Sequence, residues 1–162
     1  ISVEELKDNP FTLINKDWML ITAGNREKHN TMTASWGGVG ELWGRYVSTI
    51  YIRPQRYTLE FVEREDYYSL CFFGPEYRQA LNLCGSKSGR EVDKDAATGL
   101  TPCFDEAAPY YEQARLVFLC RKLYRQDLEE GCFLDKGLLE KWYDNDLHRM
   151  FIGEIVKVLE KE

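Results

Sequence analysis

The sequence predicts a mainly β chain, an antiparallel barrel with a few short peripheral helices. Three observations carry this. Six or so segments, irregularly spaced, have the alternating or continuous apolar pattern of strands. Two or three short segments show a helical stripe instead. Regular strand–helix–strand units are absent, which disfavours a doubly wound parallel sheet.

Residues 18–24 read as a buried strand that ends at the Gly24-Asn25 turn signal. Residues 30–36 alternate and read as a second strand, broken by Gly37, Gly38 and Gly40. Residues 46–53, rich in β-branched and aromatic side chains, are the clearest strand of all. Arg53 precedes proline and is held extended. Pro54 is suited to open a helix with Tyr57, Phe61 and Val62 on its apolar stripe. Residues 67–73 form a strand, Gly74-Pro75 a turn, and residues 76–83 a short helix with Ala80, Leu81 and Leu83 inward. The polar stretch to Pro102 is part loop and part helix. Residues 113–124 make a long strand with Leu116, Phe118 and Cys120 on one face and Val117, Leu119 and Arg121 on the other. Residues 127–146 are irregular, with a short helix near 138–142, and residues 148–158 close the sheet.

At 162 residues the chain is long enough for one domain, residues 1–162, with its own core. Ten Tyr, eight Phe and four Trp supply ample apolar surface, which excludes disorder. A net charge of -6 argues against general nucleic-acid binding, which needs a positive face. No apolar run approaches the roughly 20 residues of a membrane span, and the first residues lack the pattern of a secretory leader. The five cysteines are widely spaced and never C-x-x-C. Cys71 and Cys120 lie in apolar runs and read as buried thiols, Cys84 as structural, and this usage suits a reducing cytoplasm. With only His29 and His148, a Cys/His zinc site is not expected.

Inside this acidic chain, two short basic segments stand out: Arg53-Pro54-Gln55-Arg56-Tyr57-Thr58, and Ser86-Lys87-Ser88-Gly89-Arg90 followed by Asp93-Lys94. Guanidiniums fork onto phosphate oxygens, and N–H groups at a helix start favour an anion. Glycine lets main chain approach a ligand closely, although no Walker loop is present. For the first segment the competing reading is a solvated helix start whose arginines pair with Glu60, Glu63 or other surface carboxylates; for the second it is an ordinary surface loop. A third segment, Asn30-Thr31-Met32-Thr33-Ala34-Ser35-Trp36, sets Thr31, Thr33 and Ser35 on one side of a strand, beside a flat aromatic. Such a hydroxyl row suits a polar heteroaromatic ring; the plainer reading is threonine chosen for β propensity. His148, beside Asp144 and Asp146, is an acid, a base or a ring contact, or else a satisfied structural histidine.

The order of four segments, N-T-M-T-A-S-W-G, Y-I-R-P-Q-R-Y-T, G-S-K-S-G-R-E-V-D-K and W-Y-D-N-D-L-H-R-M-F-I-G-E-I, resembles the flavin reductase-like family of FMN-binding split-barrel proteins, which includes flavoredoxin. The resemblance implies a six-stranded Greek-key split barrel, a homodimer, and non-covalent FMN near the subunit interface. It implies Asn30, Thr31, Met32, Thr33, Ala34, Ser35 and Trp36 along the isoalloxazine and ribityl chain. It implies Arg53, Arg56, Tyr57 and Thr58 at the phosphate. Ser86, Lys87, Ser88, Gly89, Arg90 and Lys94 would continue that cradle, Asp93 would anchor Lys94 or Arg90, and His148 would approach the flavin from the closing strand. The implied activity is NAD(P)H-dependent flavin reductase-like oxidoreduction, in which FMN and no side chain carries the chemistry. The alternatives are a flavoredoxin-like electron carrier served by a redox protein, or a non-redox module for another phosphorylated heterocycle.

Overall fold

The computed structural model describes residues 1–162. Pro10 opens a first helical turn, α1 (Pro10–Thr12), which Asn9 caps by accepting from the Phe11 N–H. β1 (Met19–Gly24) and β2 (His29–Ala34) form a hairpin in the register Met19↔Ala34 to Gly24↔His29. Asn25 organises its turn: its side chain accepts from the N–H groups of Glu27 and Lys28.

β3 (Gly37–Leu42) and β4 (Arg45–Ile52) form a second hairpin. Its two-residue turn, Trp43-Gly44, has φ of 58° and 70°, a twist that suits paired strands. The glycines expected only to break the preceding strand therefore build one of their own. β3 shows no alternation because neither of its faces is buried. Its first residue is tight: a Cβ at Gly37 would stand 2.9 Å from the Thr49 carbonyl and 3.2 Å from Met19 Cε.

α2 (Thr58–Arg64) starts later than Pro54, after a turn closed by the Arg56 N–H on the Arg53 carbonyl. β5 (Tyr67–Phe72) follows, then α3 (Arg78–Ser86), which runs three residues beyond the expected end. α4 (Lys94–Thr98) ends at Gly99, φ 76°, where glycine accepts the left-handed turn without strain. β6 (Pro102–Cys103) and β7 (Tyr110–Tyr111) make a small separate ribbon. β8 (Leu116–Asp127), α5 (Gly137–Trp142) and β9 (Arg149–Glu160) complete the chain.

The main sheet has seven strands in the order β2-β1-β5-β8-β9-β4-β3, all neighbours antiparallel. The extra strand over the expected six is the glycine-rich β3. The sheet curls: Met32 near one end of that order and Ile50 and Ile52 near the other share one buried cluster with Leu116, Phe118 and Cys120. The two faces of β8 separate as alternation requires, because Val117 and Leu119 join a second cluster with Leu20, Cys71, Leu81 and Cys84, between the sheet and α3. Cys71 and Cys120 are fully buried.

Tyr68 crosses the interior from β5 to bond Ser48 Oγ of β4 at 2.7 Å, and it occupies the space over Gly153. A Cβ at Gly153 would lie 2.9 Å from Tyr68 Cε1. Gly153→Ala is therefore expected to destabilise the fold by about 1–3 kcal/mol, the range of core overpacking. Urea unfolding measures it, and an unchanged midpoint would refute the close packing.

Candidate functional site

Two clefts meet at Arg56. The first, about 420 Å³, is lined almost wholly by polar residue types: Asn30, Gln55, Arg56, Tyr57, Thr58, Gly85, Ser86, Lys87, Ser88, Gly89 and Lys94. The second, about 530 Å³, is lined by Met32, Thr33, Ala34, Ser35, Trp36, Tyr51, Arg53, Arg56 and His148. The four separated segments singled out in the sequence thus converge on one continuous surface.

The polar cleft is built where the 53–57 turn faces the end of α3. The Arg56 guanidinium donates to the carbonyls of Gly85 (3.2 Å) and Cys84 (3.3 Å). The Lys94 ammonium, buried, donates to the carbonyls of Thr31 (2.5 Å) and Cys84 (3.1 Å). Neither cation has a carboxylate partner. Burial lowers both pKa values, and Lys94 falls to about 8, with the neighbouring Arg56 charge adding to the fall. The N–H groups of Tyr57 and Thr58 have no acceptor within the chain. Asn30 donates to Thr58 Oγ1 at 2.8 Å and holds the floor. Gly89 lies directly on the Asn30 amide, where any Cβ would collide. Two cations without carboxylate partners and two free N–H groups around one polar space make an anion seat.

The second cleft is flatter and more apolar. Trp36 stands edge-on to Trp142 at 5.0 Å and tilts against His148 at 5.4 Å. His148 is buried, and its Nδ1 lies 2.7 Å from the Tyr143 hydroxyl. Burial, then the Arg53 charge, lowers its pKa to about 4. The Thr31 carbonyl points off the free edge of β2 to Lys94, and by the two-residue period the Thr33 main chain faces that edge too. An anion seat joined to an aromatic-walled slot fits a ligand with a phosphate at one end and a flat ring at the other. FMN has that form.

Some predicted residues lie elsewhere. The hydroxyls of the threonine row do not face a ring: Thr31 Oγ1 is buried between β1 and β2, on Thr22 Oγ1 (2.8 Å) and the Ile21 carbonyl, and Thr33 Oγ1 donates to the Leu81 carbonyl of α3. Arg53 stands at the ring-side cleft rather than the phosphate side, bonded to Asp146 (2.9 Å) and the Trp142 carbonyl (3.0 Å). Arg90 lies outside both clefts, paired with Glu60 at 2.9 Å and over the Tyr57 ring. Arg90 thus behaves as the ordinary surface-loop residue that is the alternative for its segment. Asp93 accepts from the Ala96 N–H and caps α4, bonding neither Lys94 nor Arg90. The Ser86 hydroxyl is spent on the Asn82 carbonyl, since Gly85 and Ser86 form the last turn of α3.

Sequence reasoning missed Tyr51, Gln55 and Tyr143. Tyr51 had a signal: alternation in β4 sends Ile50 and Ile52 inward and Tyr51 out to the cleft. Gln55 and Tyr143 lie inside two of the segments singled out, but nothing in their spacing marks them apart from their neighbours.

The family model described as "Flavin reductase like domain" matches residues 13–162. The chain belongs to the flavin reductase-like family. No curated protein matches it. Among solved structures, this flavin reductase-like chain is similar to flavoredoxin from Methanosarcina acetivorans, at 21% identity over 99% of this chain and 77% of that one, TM-score 0.70. It is similar to an FMN-binding protein from Thermus thermophilus, at 20% identity over 100% of this chain and 83% of that one, TM-score 0.70. A Shewanella frigidimarina protein with a split barrel domain aligns at 19% identity over 98% of this chain and 77% of that one, TM-score 0.72. The curled antiparallel sheet is thus the split barrel.

The lowered His148 pKa makes a pH prediction. Between its ordinary value of 6.5 and about 4, the unfolded chain binds a proton that the native ring refuses. Its contribution to stability therefore rises with pH through that window and is lost on acidification. His148→Gln is expected to flatten this part of the wild-type stability-versus-pH curve, measured by urea unfolding. Parallel curves for the two proteins would refute a buried neutral His148.

Proposed function

We propose that this chain binds FMN non-covalently and acts as a flavin reductase-like oxidoreductase, moving hydride or electrons from NAD(P)H to a second acceptor. The observation that carries the reading is the pairing of Arg56 and Lys94, neither met by a carboxylate, at one end of a cleft whose other end is aromatic. A bound FMN supplies the two-electron redox chemistry, and the protein positions it and tunes it.

The residues divide the work. Arg56, Lys94 and the N–H groups of Tyr57 and Thr58 hold the phosphate, with Lys87 and Ser88 at the rim. Asn30 and Gly89 close the seat behind it. The β2 edge from Met32 to Ser35 lies along the ring, with Trp36, Tyr51 and His148 as its walls. Arg53 remains on Asp146 and shapes the ring-side loop. NAD(P)H binds transiently against the open ring face, because the sequence holds no dinucleotide fingerprint. The protein works in the cytoplasm as a homodimer. The exposed Leu42, Trp43, Tyr46 and Tyr124 around the β3–β4 hairpin supply apolar surface for that contact. A flavoredoxin-like carrier is the second reading, favoured by the charge of -6, which suits docking to a cationic redox partner. Oxidation of NADH or NADPH by the loaded protein separates the two.

The first test is a fluorescence titration of ligand-free protein with FMN and with riboflavin. Tight FMN and far weaker riboflavin binding supports the seat; equal affinities refute it. Arg56→Ala is expected to weaken FMN by about 1.5–3 kcal/mol, the scale of charge-assisted hydrogen bonds, and to leave riboflavin nearly unchanged. FMN requires the charged Lys94, so its affinity falls as pH rises above about 8, while that of riboflavin stays level. A flat FMN curve across pH 7–9.5 in calorimetry, a range set around that value, would remove Lys94 from the seat.

A further inference from the structure

We propose that Tyr143 is the positioning residue of the ring-side cleft: its phenol donates to His148 Nδ1, keeps the imidazole proton on Nε2, and so makes His148 a preset hydrogen-bond donor into the cleft. The acceptor is a polar atom on the edge of the bound isoalloxazine, and in that respect alone the inference rests on the FMN reading.

The geometry restricts the alternatives. Tyr143 Oη and His148 Nδ1 are 2.7 Å apart, and neither the phenol nor Nε2 has another partner in the chain. Every buried side-chain nitrogen and oxygen is bonded, so the unpartnered Nε2 is the part of this ring that reaches accessible surface. His148 lines the ring-side cleft. If the phenol donates, its hydrogen is satisfied and only an Nε2–H remains without a partner in the chain. If instead Nδ1–H donates to the phenol oxygen, two groups are left without a partner in the chain: the phenol hydrogen and the Nε2 lone pair.

The surroundings favour the first arrangement. The Arg53 guanidinium lies over the Tyr143 ring, 4.9 Å from its centroid, and is itself held by Asp146 at 2.9 Å. A cation against the ring draws charge from the phenol and strengthens its O–H as a donor. Desolvation outweighs that cation in the phenol's own titration, so Tyr143 keeps its hydrogen. Trp36 and Tyr51 flank the imidazole at 5.4 and 6.2 Å and limit its rotation. The ring that meets the cleft is then a neutral donor whose polarity is set from behind, the second-sphere device that orients histidines elsewhere.

The test begins with nitrogen-15 spectra of the imidazoles in ligand-free protein, where His29 is the only other histidine. The expected wild-type result is a protonated Nε2 and an unprotonated Nδ1 for His148. In Tyr143→Phe the two nitrogen shifts should move toward each other as the tautomers mix. A protonated Nδ1 in the wild type, or a Tyr143→Phe spectrum unchanged from it, overturns the proposal.

A double-mutant cycle adds a functional readout. Tyr143→Phe, folded by thermal scan, should weaken FMN and riboflavin by the same factor, about five- to tenfold, the scale of one neutral hydrogen bond. It should cost nothing further on a His148→Gln background, where an amide donor needs no tautomer control. An equal loss on both backgrounds overturns the role of Tyr143 through His148. Failure of the wild type to bind any flavin overturns the FMN reading and the assigned acceptor, while the spectrum still decides the tautomer.

Discussion

A buried ammonium must surround itself with oxygen or give up its charge. Lys94 does so by bonding the Thr31 carbonyl of β2 and the Cys84 carbonyl of α3 from the first residue of α4. One nitrogen thereby joins the free edge of the sheet, the end of a helix and the start of another. Arg56 meets the same Cys84 carbonyl from the 53–57 turn. The polar cleft is the space these shared carbonyls leave between the elements. Carbonyl oxygens satisfy the donors' hydrogen bonds without cancelling their charge, so the seat keeps a positive field within an acidic molecule.

The rest of the barrel serves to hold those pieces rigid. Tyr68 and Ser48 bridge the interior between strands on opposite sides of the curled sheet. Leu81 and Cys84 anchor α3 against β1 and β5, which brings the end of the helix to β2. His29 and Tyr111 both bond Asp95 and secure α4 from its other side, at 2.5 and 2.6 Å. A site assembled from helix ends and a strand edge needs this support, because the groups it leaves free are main-chain N–H groups and long cationic side chains.

The ring-side cleft follows another logic. Its walls come from β2, β4, the 53–57 turn and the segment before β9; Arg53 pairs with Asp146, and Arg56 stands where this cleft meets the polar one. Charge is concentrated at one end of the site and paired off at the other. This asymmetry gives a ligand with a phosphate and a heteroaromatic ring one way to lie.

Much of this was legible in the chain. Alternation in residues 116–120 assigned each side chain to the correct core, because a pleated strand sends neighbours to opposite faces. The basic, hydroxyl-rich and glycine-bearing segments marked the clefts, because only such groups suit an anion held by main chain. What the sequence did not reveal depended on pairing between distant residues. β3 became a strand because β4 offered its edge, although its glycines bury neither face. Thr31, Arg53 and Arg90 took partners that no spacing announces: Thr22, Asp146 and Glu60. The sequence by itself determined the class of fold, the strand faces and the chemistry of the binding segments, since these follow from local period and side-chain type. Only the tertiary structure decided which cations remain unpaired, since that depends on which carboxylates the closed barrel brings within reach.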